Sequence, residues 1–223
     1  MPKDLTKRIL TSILLLFLLF FTIFSFFFKI VLFVISFLLF LEFRNIFKKI
    51  FKYHSSKNKI NIKYFIFNIL AFIYLFLIFT LTSIELHDKT GSSILFLFII
   101  SICIFSDIGG YVIGKTIGGK KLTKISPNKT ISGAIGSFVF SLIPLIIFEN
   151  VFNYNFELNF NIIIFILIVC LISQFGDLFI SYLKRMAKIK DTGNLLPGHG
   201  GILDRLDGVI FAIPFSYLLI RFI

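Results

Sequence analysis

Apolar residues run almost unbroken from position 9 to position 43, interrupted mainly by Lys29. An α-helix rises about 1.5 Å per residue, so roughly 20 apolar residues cross the hydrocarbon core of a bilayer. This run is too long for one crossing and fits two, joined tightly near Phe28-Lys29. Five further apolar runs, at 64–84, 92–113, 133–152, 161–181 and 203–222, each fit one crossing. The pattern predicts an all-α fold, a polytopic transmembrane helix bundle of about seven spans. Nothing between the runs reads as a soluble domain or a linker, so residues 1–223 are expected to form a single integral membrane domain.

The polar segments between the runs set the expected orientation. The N-terminus, Arg44–Lys63, Gly114–Ile131 and Tyr182–Ile202 carry 3, 7, 5 and 4 Lys or Arg, whereas the alternate loops carry Lys29, Lys89 and none. Cytoplasmic loops are enriched in Lys and Arg. An N-terminus in the cytoplasm puts all four basic segments there. Lys3, Lys7 and Arg8 before a long apolar run with no small-residue cleavage site predict an uncleaved first span rather than a signal peptide.

Composition agrees. The chain is 57% hydrophobic and 15% charged, with 33 Phe and a mean hydropathy of +0.98. Soluble domains carry about a quarter charged residues, so this chain takes the bilayer as its solvent. The net charge of +12 is gathered in the short loops, which favours membrane lipids and topology over nucleic acid. Cys103 and Cys170 lie inside apolar runs and read as buried thiols.

Candidate chemistry begins with acids in or beside the spans. An ionised carboxylate at mid-bilayer costs at least ~2.5–3.5 kcal/mol and marks function by default. In the expected topology Asp107, Asp177, Asp204 and Asp207 all sit near the cytoplasmic face. Asp204 and Asp207 equally suit a helix N-terminus, and Asp107 has Lys115 two turns on. Glu42, beside Arg44, reads as a satisfied interfacial charge. Carboxylates at a rim suit a hard cation such as Mg²⁺, which takes one or two of them plus substrate phosphates. His54, His87 and His199 are too scattered for zinc. A transporter would spread its acids through the membrane depth; here they cluster at one face.

Two loops suit phosphate. Gly114–Lys121 lacks the ending of a Walker loop, but its glycines and lysines suit an anion. Ser126, Lys129 and Thr130 follow it, just before the next span, where a helix N-terminus attracts phosphate or where Thr130 and its neighbours serve as a plain cap. In the second loop Pro197, Gly198, His199, Gly200 and Gly201 form a tight turn directly before Asp204.

From Ser181 to Asp207 the residues resemble the signature of the CDP-diglyceride synthases, or phosphatidate cytidylyltransferases. The matching positions are Ser181…Lys184-Arg185, Lys190-Asp191 and Pro197-Gly198-His199-Gly200-Gly201…Asp204-Arg205…Asp207. Asp107…Tyr111…Gly114, Ser126-Pro127…Lys129-Thr130 and Gly176-Asp177 resemble further family blocks, so residues 101–223 form the expected catalytic half. Asn128, Ile131 and Ser132 depart from the family pattern. The chain is short for the family, whose extra N-terminal helices are expected to be lost or dispensable.

The resemblance implies transfer of CMP from CTP to phosphatidic acid, with Mg²⁺ and room for a second, monovalent cation. It implies Asp177, Asp204 and Asp207 at the cation, with Lys184 and Arg185 also catalytic. Ser181, Lys190, Asp191, His199, Gly200, Gly201, Arg205, Asp107, Ser126, Lys129 and Thr130 would bind substrate. It is also compatible with a homodimer in the inner (plasma) membrane, the site facing the cytoplasm.

Overall fold

The computed structural model describes residues 21–25, 27–54, 62–88, 93–152, 160–196 and 200–220. Most of the first expected span, and His199, lie outside these residues. Helices dominate, and among the described residues only two isolated β-bridges occur, at Lys121–Thr130 and Leu196–Gly200. Five helices are long and apolar enough to cross a membrane: Phe28–Lys52, Ile62–Asp88, Ile94–Thr116, Ile131–Val151 and Phe160–Met186. The protein is an all-α, polytopic integral membrane protein.

The elements are α1 (Phe28–His54), α2 (Ile62–Asp88), α3 (Ile94–Thr116), α4 (Ile131–Phe140), α5 (Ile143–Phe152), α6 (Phe160–Met186), α7 (Leu203–Leu206) and α8 (Val209–Leu219). The tight join expected near Lys29 is a turn, in which the Phe28 N–H donates to the Ser25 carbonyl at 3.2 Å. Three boundaries differ from the sequence expectation. α1 continues past residue 43 to His54, taking in Arg44, Lys48, Lys49 and Lys52. α6 likewise continues to Met186, so Lys184 and Arg185 occupy its last turn and not a loop. Apolar patterning ends where the membrane does, but Lys and Arg are good helix formers and carry the backbone on into the interface. The described part of the segment expected to span at 203–222 is divided into the one-turn α7, a turn at Asp207-Gly208, and the 11-residue α8.

Two features interrupt the spans. α2 contains a π-helical stretch, Tyr74–Phe79, closed by the Thr80 hydroxyl donating to the Leu75 carbonyl at 2.7 Å. Between α4 and α5 the helix breaks at Ser141-Leu142, because Pro144 has no N–H and its ring collides with the carbonyl four residues back.

The chain forms two compact units, Met1–Ile84 with Leu183–Leu206, and Glu85–Tyr182 with Asp207–Ile223. In the first, α1 and α2 meet through aromatic contacts such as Phe40–Phe72 (5.6 Å) and Phe47–Phe67 (5.5 Å). A buried hydroxyl pair, Ser36–Thr80, also joins them at 2.7 Å. In the second, α3 and α4 approach at backbone distance. A Cβ on Gly109 would lie 2.5 Å from the Gly136 carbonyl oxygen, and one on Gly133 would lie 2.7 Å from that of Gly110. Apolar side chains such as Phe37, Phe65, Ile135 and Val139 are exposed, as bilayer-facing surfaces require.

Candidate functional site

In the second unit, close packing of α3 on α4 places the loop between them. Gly118 and Gly119 have φ of 65° and 103°, a left-handed turn that reverses the chain after α3. The returning strand is held by Leu122 N–H on the Lys129 carbonyl (2.8 Å) and Ile131 N–H on the Lys120 carbonyl (3.0 Å). Thr130 then caps α4, its hydroxyl accepting from the Gly133 N–H at 3.1 Å. This arrangement delivers Lys129 to α6, where its ammonium pairs with Asp177. Asp177 also accepts from the Ser181 hydroxyl one turn on, at 3.3 Å.

Lys129, Thr130 and Asp177 line a cavity of about 390 Å³. Asp107 and Tyr111 face it from α3, Ser126, Lys129 and Thr130 from the loop, and Gln174 and Asp177 from α6. Lys115 packs over the Tyr111 ring at 5.5 Å. Four predicted binding residues therefore meet one predicted cation ligand, Asp177, in one polar cavity. Asp207, in the same unit, accepts the N–H of Gly208 at 2.9 Å. Its backbone lies against Gly176, where a Cβ would fall 2.8 Å from the Asp207 carbonyl oxygen.

In the first unit, α6 ends in a left-handed residue, Lys188 (φ 54°). The Ile189 N–H returns to the Lys184 carbonyl at 3.0 Å and the Lys188 N–H to that of Arg185 at 3.1 Å, which closes the helix end. The chain then passes Lys190, Asp191 and Thr192 and re-enters at Gly200. Lys184 pairs with Asp204 at 2.7 Å. The other Asp204 oxygen accepts from Thr192 N–H (2.8 Å) and Gly201 N–H (3.0 Å), and the Thr192 hydroxyl, whose single proton it shares with Glu42, lies 3.0 Å away. Burial alone would raise the Asp204 carboxyl, but Lys184 and the two backbone N–H groups outweigh it and hold it below the usual aspartate range. Gly200 (φ 86°) leaves no room for a side chain, since a Cβ would lie 2.8 Å from an Asp204 oxygen and 3.2 Å from the Cβ of Asp191. Arg185, Lys190, Asp191 and Arg205 are exposed.

One residue here escaped the sequence reading. Glu42 of α1 is buried, and it accepts from the Thr192 hydroxyl and from the N–H groups of Ile202 and Leu203. The signal existed, a carboxylate inside an apolar run, but Arg44 offered an apparent partner; Arg44 is exposed. The close glycines of α3 and α4 also escaped. Gly110 and Gly114 stand four apart, the small-residue spacing that lets membrane helices approach.

A model described as the cytidylyltransferase family matches residues 3–223. The chain belongs to the cytidylyltransferase family. Among its relatives, a phosphatidate cytidylyltransferase of Bacillus subtilis (strain 168) is 40% identical over 139 residues, 61% of this chain and 51% of that protein. One of Rickettsia bellii (strain RML369-C) is 44% identical over 125 residues, 53% of this chain and 52% of that protein. One of Helicobacter pylori (strain ATCC 700392 / 26695) is 36% identical over 136 residues, 60% of this chain and 50% of that protein. The chain spans about half the length of the curated relatives it matches.

Hard oxygen donors dominate both polar centres of this cytidylyltransferase-family chain. Among the described residues no three His, Cys, Asp or Glu side chains gather as a ligand set. Carboxylates used one or two at a time, beside room for phosphates, suit Mg²⁺ better than a metal that needs a complete protein cage.

Proposed function

We propose that the protein is a phosphatidate cytidylyltransferase, converting CTP and phosphatidic acid to CDP-diacylglycerol and pyrophosphate. The observation that carries the reading is the polar cavity of about 390 Å³ in which Lys129 and Asp177 pair beside Asp107, Ser126 and Thr130, in a chain of this family. A cavity with paired opposite charges and several hydroxyls suits a phosphate with its counter-cation.

Phosphatidate already carries a nucleophilic phosphate oxygen, so a strong base is not needed. The protein's task is to align that oxygen with the α-phosphorus of CTP and to neutralise charge as the bond to pyrophosphate breaks. Lys129, Lys184, Arg185 and Arg205 are assigned to phosphate contacts, the arginines being suited to bidentate ones. Ser126, Thr130, Ser181, Lys190, Asp191, His199, Gly200 and Gly201 belong to substrate binding. The acids assigned to Mg²⁺ are Asp177 and Asp207, and Asp204 with its own lysine. Bound there, Mg²⁺ would neutralise phosphate charge and assist the leaving pyrophosphate. The lysine on each carboxylate, Lys129 on Asp177 and Lys184 on Asp204, would exchange that partner for a phosphate when nucleotide and cation bind.

The basic loops support an inner (plasma) membrane location with the site facing the cytoplasm, and acyl chains would enter from that leaflet. A second, monovalent cation and a homodimer complete the reading. The test is purified protein with radiolabelled CTP and phosphatidic acid, with and without Mg²⁺. Label in a CDP-lipid, with pyrophosphate released only when Mg²⁺ is present, is expected. A phosphorylated lipid with CDP released, or no labelled lipid, overturns the reading.

A further inference from the structure

Glu42 stands on α1, 150 or more positions from the residues it holds. It lies on the apolar helix Phe28–Lys52 and is only 3% exposed. A carboxylate there needs full compensation. The compensation comes from the signature segment. One oxygen accepts from the Thr192 hydroxyl at 2.6 Å and the Leu203 N–H at 2.9 Å, and the other from the Ile202 N–H at 3.0 Å. Among the described residues no Lys or Arg pairs with it. Two glycines make room for it: a Cβ on Gly193 would lie 2.9 Å from a Glu42 oxygen, and one on Gly201 would lie 2.6 Å from the same oxygen.

The same stretch of backbone serves Asp204. Thr192 N–H and Gly201 N–H point to Asp204, while Ile202 N–H and Leu203 N–H point to Glu42. The Thr192 hydroxyl lies within reach of both carboxylates. The segment is thus clamped between two acids. One of them, Asp204, also holds Lys184; among the described residues the hydrogen bonds of the other go to the clamp. Glu42 thus anchors Ile202 and Leu203, the residues directly after the Gly201 N–H that holds Asp204.

We propose that Glu42 is a positioning residue for the reaction: it fixes Thr192 and Gly201–Leu203, and through them the direction in which Asp204 and Lys184 meet the CTP phosphates. The proposal rests on the function proposed above. It assigns a role to a residue outside the signature, on an element whose sequence reads only as membrane anchor.

Glu42→Gln tests it, because the amide keeps the size but offers one acceptor where three donors converge. Each orientation of the amide turns an N–H group onto at least one of them. A buried donor left without its acceptor is expected to raise the KM for CTP about tenfold or more, while the KM for phosphatidic acid stays within about twofold. Hydrogen exchange in detergent is expected to quicken in the segment carrying Ile202 and Leu203 and to stay unchanged in α3 and in Phe160–Ile180. Should Glu42→Gln fail to insert, Thr192→Val, which removes the shared hydroxyl, carries the same test with the same direction of change. A wild-type KM for CTP in an active variant overturns the proposal. So does a fall in kcat alone that tracks the folded fraction, since that reports a fold contribution and nothing more. Absence of CDP-lipid from the unaltered protein overturns the functional reading instead, and the exchange measurement still decides whether Glu42 holds the segment.

Discussion

Replacing Asp204 by Asn keeps the shape of the side chain and removes its charge. Asp204 is 6% exposed at its side chain and Lys184 is 15% exposed, so water cannot take over the lost partner readily. If the Asn oxygen stays where Thr192 and Gly201 converge, its NH₂ group faces the Lys184 ammonium. The charge-assisted bond at 2.7 Å is then replaced by two opposed donors. Losing a bond to a charged group costs about 1.5–3 kcal/mol, and stranding a buried charge costs more. A loss of about 2–4 kcal/mol in stability follows, because Lys184 is not wholly buried and relaxes in part toward water. The pH dependence carries the sign. The Asp204 carboxyl lies below its ordinary range in the folded protein. Its contribution is therefore complete above roughly pH 4 and is lost as the pH falls through the folded value. Unfolding in detergent micelles, followed by far-UV circular dichroism from pH 7 downward, reads both. Asp204→Asn should unfold earlier at pH 7 and lose less on acidification than the unaltered protein. Adding Lys184→Met should recover part of the loss, since it removes the stranded cation. Equal stability and the same acid profile in Asp204→Asn would refute the reasoning.

Three further outcomes are expected. Asp177→Asn should abolish CTP- and Mg²⁺-dependent product while the protein still inserts, read by the radiolabel assay on membranes of matched expression. Gly109→Val should force α3 from α4, where a Cβ already meets the Gly136 carbonyl oxygen at 2.5 Å. A stability loss of about 1–3 kcal/mol or more should appear in the same unfolding experiment. Thr130→Ala removes the α4 cap and should cost about 1 kcal/mol, read as an earlier unfolding midpoint.

The spans were legible because lipid imposes a simple demand, a long apolar run, and five of the runs are long apolar helices in the structure. The ends of those helices were not legible. Arg44–Lys52 and Lys184–Met186 are polar in pattern but helical in fact, since hydropathy reports the surrounding medium and not the backbone hydrogen bonding. The segment at 203–222 differs in the opposite way. Its composition is that of a span, yet the turn at Asp207-Gly208 and the single-turn α7 leave only 11 residues in α8, about 16 Å at the rise of an α-helix.

The site shows a deeper limit. Asp177 stood out because an acid inside an apolar span has few innocent explanations, whereas Asp204 equally suits a helix N-terminus and stood out by its place in the signature. Each is paired with a lysine, 48 positions earlier for Asp177 and 20 positions earlier for Asp204. No local pattern ties Lys129 to Asp177; the left-handed turn at Gly118-Gly119 and the glycine contact of α3 with α4 do so. Glu42 had the same credentials as Asp177, and the adjacent Arg44 masked them. In an α-helix, however, residues two apart point to different faces, so Arg44 was never placed to neutralise Glu42. The geometric rule that excluded that partner was available from the spacing alone. Applied first, it would have left a buried acid on α1 in search of donors. The signature segment, with glycines at 193 and 201 and the N–H groups of 202 and 203, supplies them.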